Sequence, residues 1–122
     1  MAANEYLPVF KPGLALTFTA GAALTGGRLV EITTDNTIEH AAAGSTSVVG
    51  VAAWDTTLGQ QVTTHSGGVQ ELVASAAIAA GDEVSAAADG KVATTVEGTA
   101  VIGVALTAAS AADALVRVKA RF

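Results

Sequence analysis

From Leu14 onward the chain alternates apolar and polar positions with a period of two. Leu14, Leu16 and Phe18 fall on one face of an extended segment, and Ala15, Thr17 and Thr19 on the other. Further β-type runs lie at residues 28–33, 47–54, 61–65, 69–73, 91–96, 101–106 and 115–122. Gly26-Gly27, Asp35-Asn36 and Asp89-Gly90 stand between runs as turn signals. Gly67-Gly68 separates two such runs and predicts a hairpin. Alanine-rich stretches at 41–43, 73–80 and 108–112 have helix propensity. They are mostly too short to stand as helices and read as connections or single turns. Many short strands punctuated by Gly, Asp and Asn predict an all-β barrel or sandwich.

The pattern also repeats. Ala22-Ala-Leu-Thr-Gly-Gly-Arg-Leu-Val, followed later by Val48-Val-Gly-Val-Ala, is answered by Ala76-Ala-Ile-Ala-Ala-Gly-Asp-Glu-Val and then Val101-Ile-Gly-Val-Ala. Gly27 matches Gly81 at a spacing of 54 residues, and Gly50 matches Gly103 at 53. Two copies are too few for a solenoid, so the expectation is one pseudo-symmetric barrel built from two paired halves. The glycine inside each Val-Gly-Val run predicts a bulge or a close backbone approach.

Residues 1–13 stand apart from this body, 14–122. The run Tyr6-Leu-Pro-Val-Phe-Lys-Pro-Gly13 holds the single Tyr and both prolines. Prolines four apart keep the segment extended. Tyr6, Leu7, Val9 and Phe10 give it more apolar surface than a solvated tail carries. It reads either as a first edge strand on its own domain or as an arm lying on a neighbouring chain.

Composition narrows the function classes. Hydrophobic residues make up 51% but aromatics only 4%, so the core is built of Ala and Val and buries little area per residue. Docking or self-association would supply the missing burial. The net charge of −5 argues against nucleic acid as a partner. The absence of Cys excludes disulfides and thiolate chemistry. Glu5, with no basic segment before it, argues against a secretory leader, and no stretch is apolar enough for a membrane span.

Candidate chemistry is sparse. His40 and His65 are the only histidines and show no metal-ligand spacing, so no metal site is expected. Asp82 and Glu83, adjacent on a strand, point to opposite faces and form no catalytic pair. Asp82 after Gly81, and Asp89 before Gly90, read as turn residues. No nucleophile elbow, phosphate loop or dinucleotide fingerprint occurs. Neither an enzyme nor a cofactor is expected. Arg117, Lys119 and Arg121 alternate along the last run, so half of the six basic residues share one face. That face reads as a solvated one that blunts an edge strand, or as a contact for an acidic partner. Trp54, the only Trp, reads as a core or subunit-interface anchor.

The ordered set of segments resembles the small head-decoration, or capsid cement, proteins of tailed bacteriophages. The resemblance is carried by Tyr6-Leu-Pro-Val-Phe-Lys-Pro-Gly, Thr19-Ala-Gly-Ala-Ala-Leu-Thr-Gly-Gly-Arg-Leu-Val, Val62-Thr-Thr-His-Ser-Gly-Gly-Val-Gln, Ala79-Ala-Gly-Asp-Glu-Val and Val101-Ile-Gly-Val-Ala-Leu. It implies a β-barrel or β-tulip fold and a homotrimer, made in the host cytoplasm, on the outer capsid surface of the virion. The shell would be clamped against internal DNA pressure. It further implies an N-terminal arm that reaches the major capsid protein by adding a strand, a role falling here to Tyr6, Leu7, Val9 and Phe10. It implies no catalytic residue. Other readings from the same residues are a carbohydrate-binding or adhesion module, which needs an aromatic platform, and a barrel enzyme, which needs a polar pocket.

Overall fold

The computed structural model describes residues 15–122, which form ten strands and one 3-10 turn. The first five strands are β1 (Ala15–Ala20), β2 (Leu29–Thr34), β3 (Thr37–His40), β4 (Val48–Ala52) and β5 (Gln61–His65). They close a barrel in the order β1-β3-β2-β4-β5, with β5 returning to β1. The second five are β6 (Val69–Val73), β7 (Glu83–Ala86), β8 (Val92–Thr94), β9 (Gly103–Ala105) and β10 (Leu115–Ala120). They form a sheet in the order β6-β10-β9-β7-β8.

The sequence repeat is therefore real in three dimensions, but its two copies are not halves of one barrel. Each copy folds on itself. The parallel β1–β3 pairing that closes the first barrel, Ala20 to Ile38, reappears 54 residues on as a single parallel bridge from Ala74 to Val92. The bridge Leu24–Thr56 likewise reappears as Ile78–Ala109. The expectation of one shared barrel failed because strand spacing does not say whether a strand pairs within its copy or across copies.

Gly67-Gly68 marks the junction. Both residues have positive φ, but β5 pairs with β1 and β4 while β6 pairs with β10. The glycines join the two units and do not turn a hairpin. The Gly67 amide donates to the Phe122 carbonyl, and the Gly68 carbonyl accepts from Ala120. The other turns behave as expected. Asn36 at φ 51 turns β2 into β3, and Asp89 and Gly90, at φ 60 and 72, turn β7 into β8. The alanine-rich stretches form no α-helix.

The units pack head to tail. Leu29 and Val30 are consecutive, yet both are fully buried. On a strand they face opposite ways, so Val30 fills the first barrel while Leu29 points out of it. Leu29, Ala41 and Val51 join the core of the second unit, with Leu72, Val84, Val92, Val116 and Val118. The first barrel keeps its own core of Ala20, Leu24, Val30, Ile38, Ala52 and Val62. The tip of the second unit's Asp89-Gly90 turn lies on this outward patch, where the Gly90 amide donates to the Ala41 carbonyl at 3.0 Å. The corresponding position in the second unit is Glu83, which is exposed. The contact is thus heterologous, made once and capped by charge.

Candidate docking surface

The outer face of the second sheet is built on β10. Its burial alternates strictly: Leu115, Arg117 and Lys119 are exposed, Val116 and Val118 buried. Residues paired across a ladder share a face, so Val73, Glu71 and Val69 on β6 stand beside Leu115, Arg117 and Lys119. On the other side β9 offers Val104 beside Lys119. Leu106, whose amide donates to the Arg117 carbonyl at 2.7 Å, continues that side in the same phase.

The basic residues fall where the alternation puts them, with Arg121 one position beyond the strand. Arg117 lies 3.6 Å from Glu71, and Arg121 lies 3.2 Å from Glu83. Exposed pairs of this kind add little stability. Lys119 makes no ion pair among the described residues. The edge-blunting reading does not hold, because β10 lies between β6 and β9 inside the sheet. Its charges therefore cover a sheet face and protect no edge.

The sequence reading missed the apolar part of this face. Leu115, Val69 and Leu106 are 57%, 56% and 48% exposed. Leu115 shares the phase of Arg117 and Lys119, a signal that was legible. Val69 and Leu106 join it only through the pairing of β6 and β9. The first barrel has the same positions and fills them differently. Ala15, Thr17 and Thr19 replace Val69, Glu71 and Val73, while Gln61, Thr63 and His65 replace Leu115, Arg117 and Lys119.

A second exposed apolar group lies on the β4–β5 loop of the first barrel. Trp54 is 52% exposed and Leu58 70%, so Trp54 is not a core anchor. Asp55 stands between them, its Oδ1 accepting the Gly26 amide at 2.9 Å. Gly26 fits beneath because a Cβ there would come 2.8 Å from the Trp54 Cα.

Titratable groups elsewhere play structural parts. His40 Nε2 accepts the Thr25 amide at 2.9 Å. Burial, and then the charge of Arg28, hold its pKa below the ordinary value. The hydrogen bond and charge of Lys91, 2.8 Å away, hold the Asp113 carboxyl below the usual range. Asp82 Oδ2 accepts the Ala79 amide and the Thr94 hydroxyl, as a turn residue should. Two shallow grooves flank the junction of the units. One, of about 180 Å³, is lined by Thr46, Val48, Val101, Arg121 and Phe122. The other, of about 360 Å³, is lined by Ala43, Ala86, Ala93, Val96 and Thr99. Neither lining includes a His, Asp or Glu residue. No cluster of three metal-ligating side chains occurs among the described residues, and no helix there is long and apolar enough to cross a membrane. Tyr6, Leu7, Val9 and Phe10 lie outside the described residues.

Comparison with known proteins gives a family and a fold relative. A family model described as phage cement protein matches residues 10–120. Among solved structures, the head fiber gp8.5 N base of bacteriophage phi29 is similar, with a TM-score of 0.72 and 25% identity, covering 87% of this chain and 92% of that one. No curated protein matches the chain.

Proposed function

The chain belongs to the phage cement protein family, and from that premise we propose that it binds the outer surface of the mature phage head and stabilises the shell against internal DNA pressure. Its role is capsid decoration, a structural one, and the protein is virion-associated. The observation that carries the reading is the extent of the family match, which runs through both the first barrel and the second sheet.

The proposed mechanism is linkage. A protein that binds the closed, mature shell and not its separated subunits stabilises the shell by the free energy of binding, about 2.7 kcal/mol per site when free protein is 100-fold above Kd. Many sites acting together resist an internal load that no single contact could. In this reading the chain is made in the host cytoplasm and docks as a homotrimer, with residues 14–122 acting as one body. The arm, through Tyr6, Leu7, Val9 and Phe10, adds a strand to the major capsid protein. Arg117, Lys119 and Arg121 form a basic, partner-facing surface. The adhesion alternative is weaker. Trp54 is the one exposed aromatic among the described residues, and a single ring makes no platform.

Co-sedimentation with mature and unexpanded shells tests the proposal. The full chain is expected to pellet with mature shells and raise their disruption temperature. Deleting residues 1–12 is expected to weaken binding and leave the circular dichroism spectrum of the body unchanged. No binding to mature shells would overturn the decoration reading. Equal binding by the truncated chain would overturn the arm.

A further inference from the structure

The first barrel and the second sheet are built from equivalent strands and differ in what they expose, and the difference is directional. We propose that the β10 face of the second unit is a docking surface for a second copy of this chain, and that it receives the Trp54–Leu58 loop of that copy's first barrel. This deepens the trimer part of the preceding reading and is independent of the shell.

Three observations carry it. First, five of the six large hydrophobics exposed among the described residues fall in these two places: Val69, Leu106 and Leu115 on the face, Trp54 and Leu58 on the loop. Exposed apolar groups of this size mark interaction surfaces when they cluster. Second, the face has lost its repeat symmetry. The first barrel carries Ala15, Ala53 and Gln61 where the second carries Val69, Leu106 and Leu115. Folding does not demand the apolar version, since the first barrel closes without it.

Third, the charges are complementary. Within residues 15–68 the acids are Glu31, Asp35, Glu39 and Asp55, against Arg28 alone. The face of the second unit carries Arg117 and Lys119 against one acid, Glu71, which Arg117 already holds, while Arg121 beyond them is held by Glu83. A two-fold contact of the face with itself would offer Lys119, without an ion pair among the described residues, no further acid. A contact with the Trp54-Asp55-Leu58 loop sets base against acid and apolar against apolar. Such a contact is heterologous, so each copy has both a face and a loop to offer, and a closed ring satisfies every one.

Sedimentation velocity on the full chain, with single and mixed variants, tests this. Leu115→Asp disables the face and Leu58→Asp the loop. Both sites are exposed, and thermal melts check that each variant folds; Leu115→Ser and Leu58→Ser serve if either does not. Each variant alone is expected to sediment as a monomer where the parent assembles, its association weakened by at least about tenfold, as for a hot-spot residue. Mixed together, the two are expected to form a 1:1 dimer, because one intact face meets one intact loop and the chain then stops. Lys119→Glu is expected to weaken assembly, and Lys119→Arg, which keeps the charge, to preserve it. A monomeric parent, variants that still assemble, or a mixture that stays monomeric would each overturn the proposal. Shell co-sedimentation separates the two readings. A monomer that pellets with shells sinks this interface and keeps decoration, whereas an assembled protein that ignores shells does the reverse.

Discussion

A Cβ on Gly103 would sit 2.5 Å from the carbonyl oxygen of Lys119. One repeat earlier, a Cβ on Gly50 would sit 2.7 Å from the carbonyl oxygen of His65. In each unit the glycine lets the fourth strand approach the backbone of the fifth. The first barrel also shows the register shift of a bulge here, between the β2 residues Val30 and Glu31 where they face β4.

Because the atom met is backbone, no side-chain rotation relieves the clash. Gly50→Ala and Gly103→Ala are each expected to destabilise the fold by about 1–3 kcal/mol, the usual cost of forcing a methyl group into a packed site. Urea denaturation of the two variants checks this. A change of a few tenths of a kcal/mol would show that the strands separate freely.

Gly90 holds the units together in a way that Gly98 does not. Both have positive φ, at 72 and 87. Nothing lies within 4 Å of a Cβ on Gly98, whereas a Cβ on Gly90 would come 2.5 Å from the Leu29 carbonyl oxygen. Gly98→Ala is expected to cost the left-handed strain alone, about 1–2 kcal/mol. Gly90→Ala is expected to cost more and to expose the amide that bonds Ala41. Paired thermal melts rank the two, and amide hydrogen exchange at Gly90 reports the opened junction. Equal costs would show that the turn does not bear on the first barrel.

The all-β class, the turns at Asn36 and Gly90 and the phase of β10 were legible because each is a local property of alternation or φ. The packing of the units was not. Leu29-Val30 against Glu83-Val84 contains the clue, since an apolar pair signals a strand buried on both faces and an acid–apolar pair one buried on a single face. Reading it requires knowing that the two segments are equivalent strands in separate units. For Trp54 the sequence left two places open, core or subunit interface; its exposure excludes the core, whose members in the first barrel are Ala20, Leu24, Val30, Ile38, Ala52 and Val62. The docking face was half visible, its bases in the sequence and its apolar members only in the ladder.

Acid sensitivity is expected from His40. Its folded pKa is held below 6.5 by burial and by Arg28, while its Nε2 accepts the Thr25 amide as a neutral ring. The unfolded chain therefore binds the proton more readily than the folded one. The stabilisation is complete above about 6.5 and is lost as pH falls from there through the lowered folded value. Urea midpoints between pH 8 and pH 5 should fall in the parent and flatten in His40→Gln, whose amide oxygen can still accept the Thr25 N–H. A parent curve that rises on acidification in this range would reverse the assignment.

Trp54 reports on assembly directly. It is the single Trp and is half exposed in the isolated chain, so the fluorescence of the monomer is expected to have the red-shifted maximum of an indole in water. If the loop seats on the β10 face of another copy, the indole leaves water, and the maximum should move to shorter wavelength as concentration rises. The titration should follow the sedimentation isotherm. The Leu115→Asp chain should show no shift by itself. Added to Leu58→Asp it should show one, because the Leu115→Asp copy donates the loop that carries its own Trp54. A Leu58→Asp chain that also carries Trp54→Phe removes the background from the partner and leaves that signal intact. An emission maximum that does not move on assembly would mean that the copies meet through some surface other than this loop.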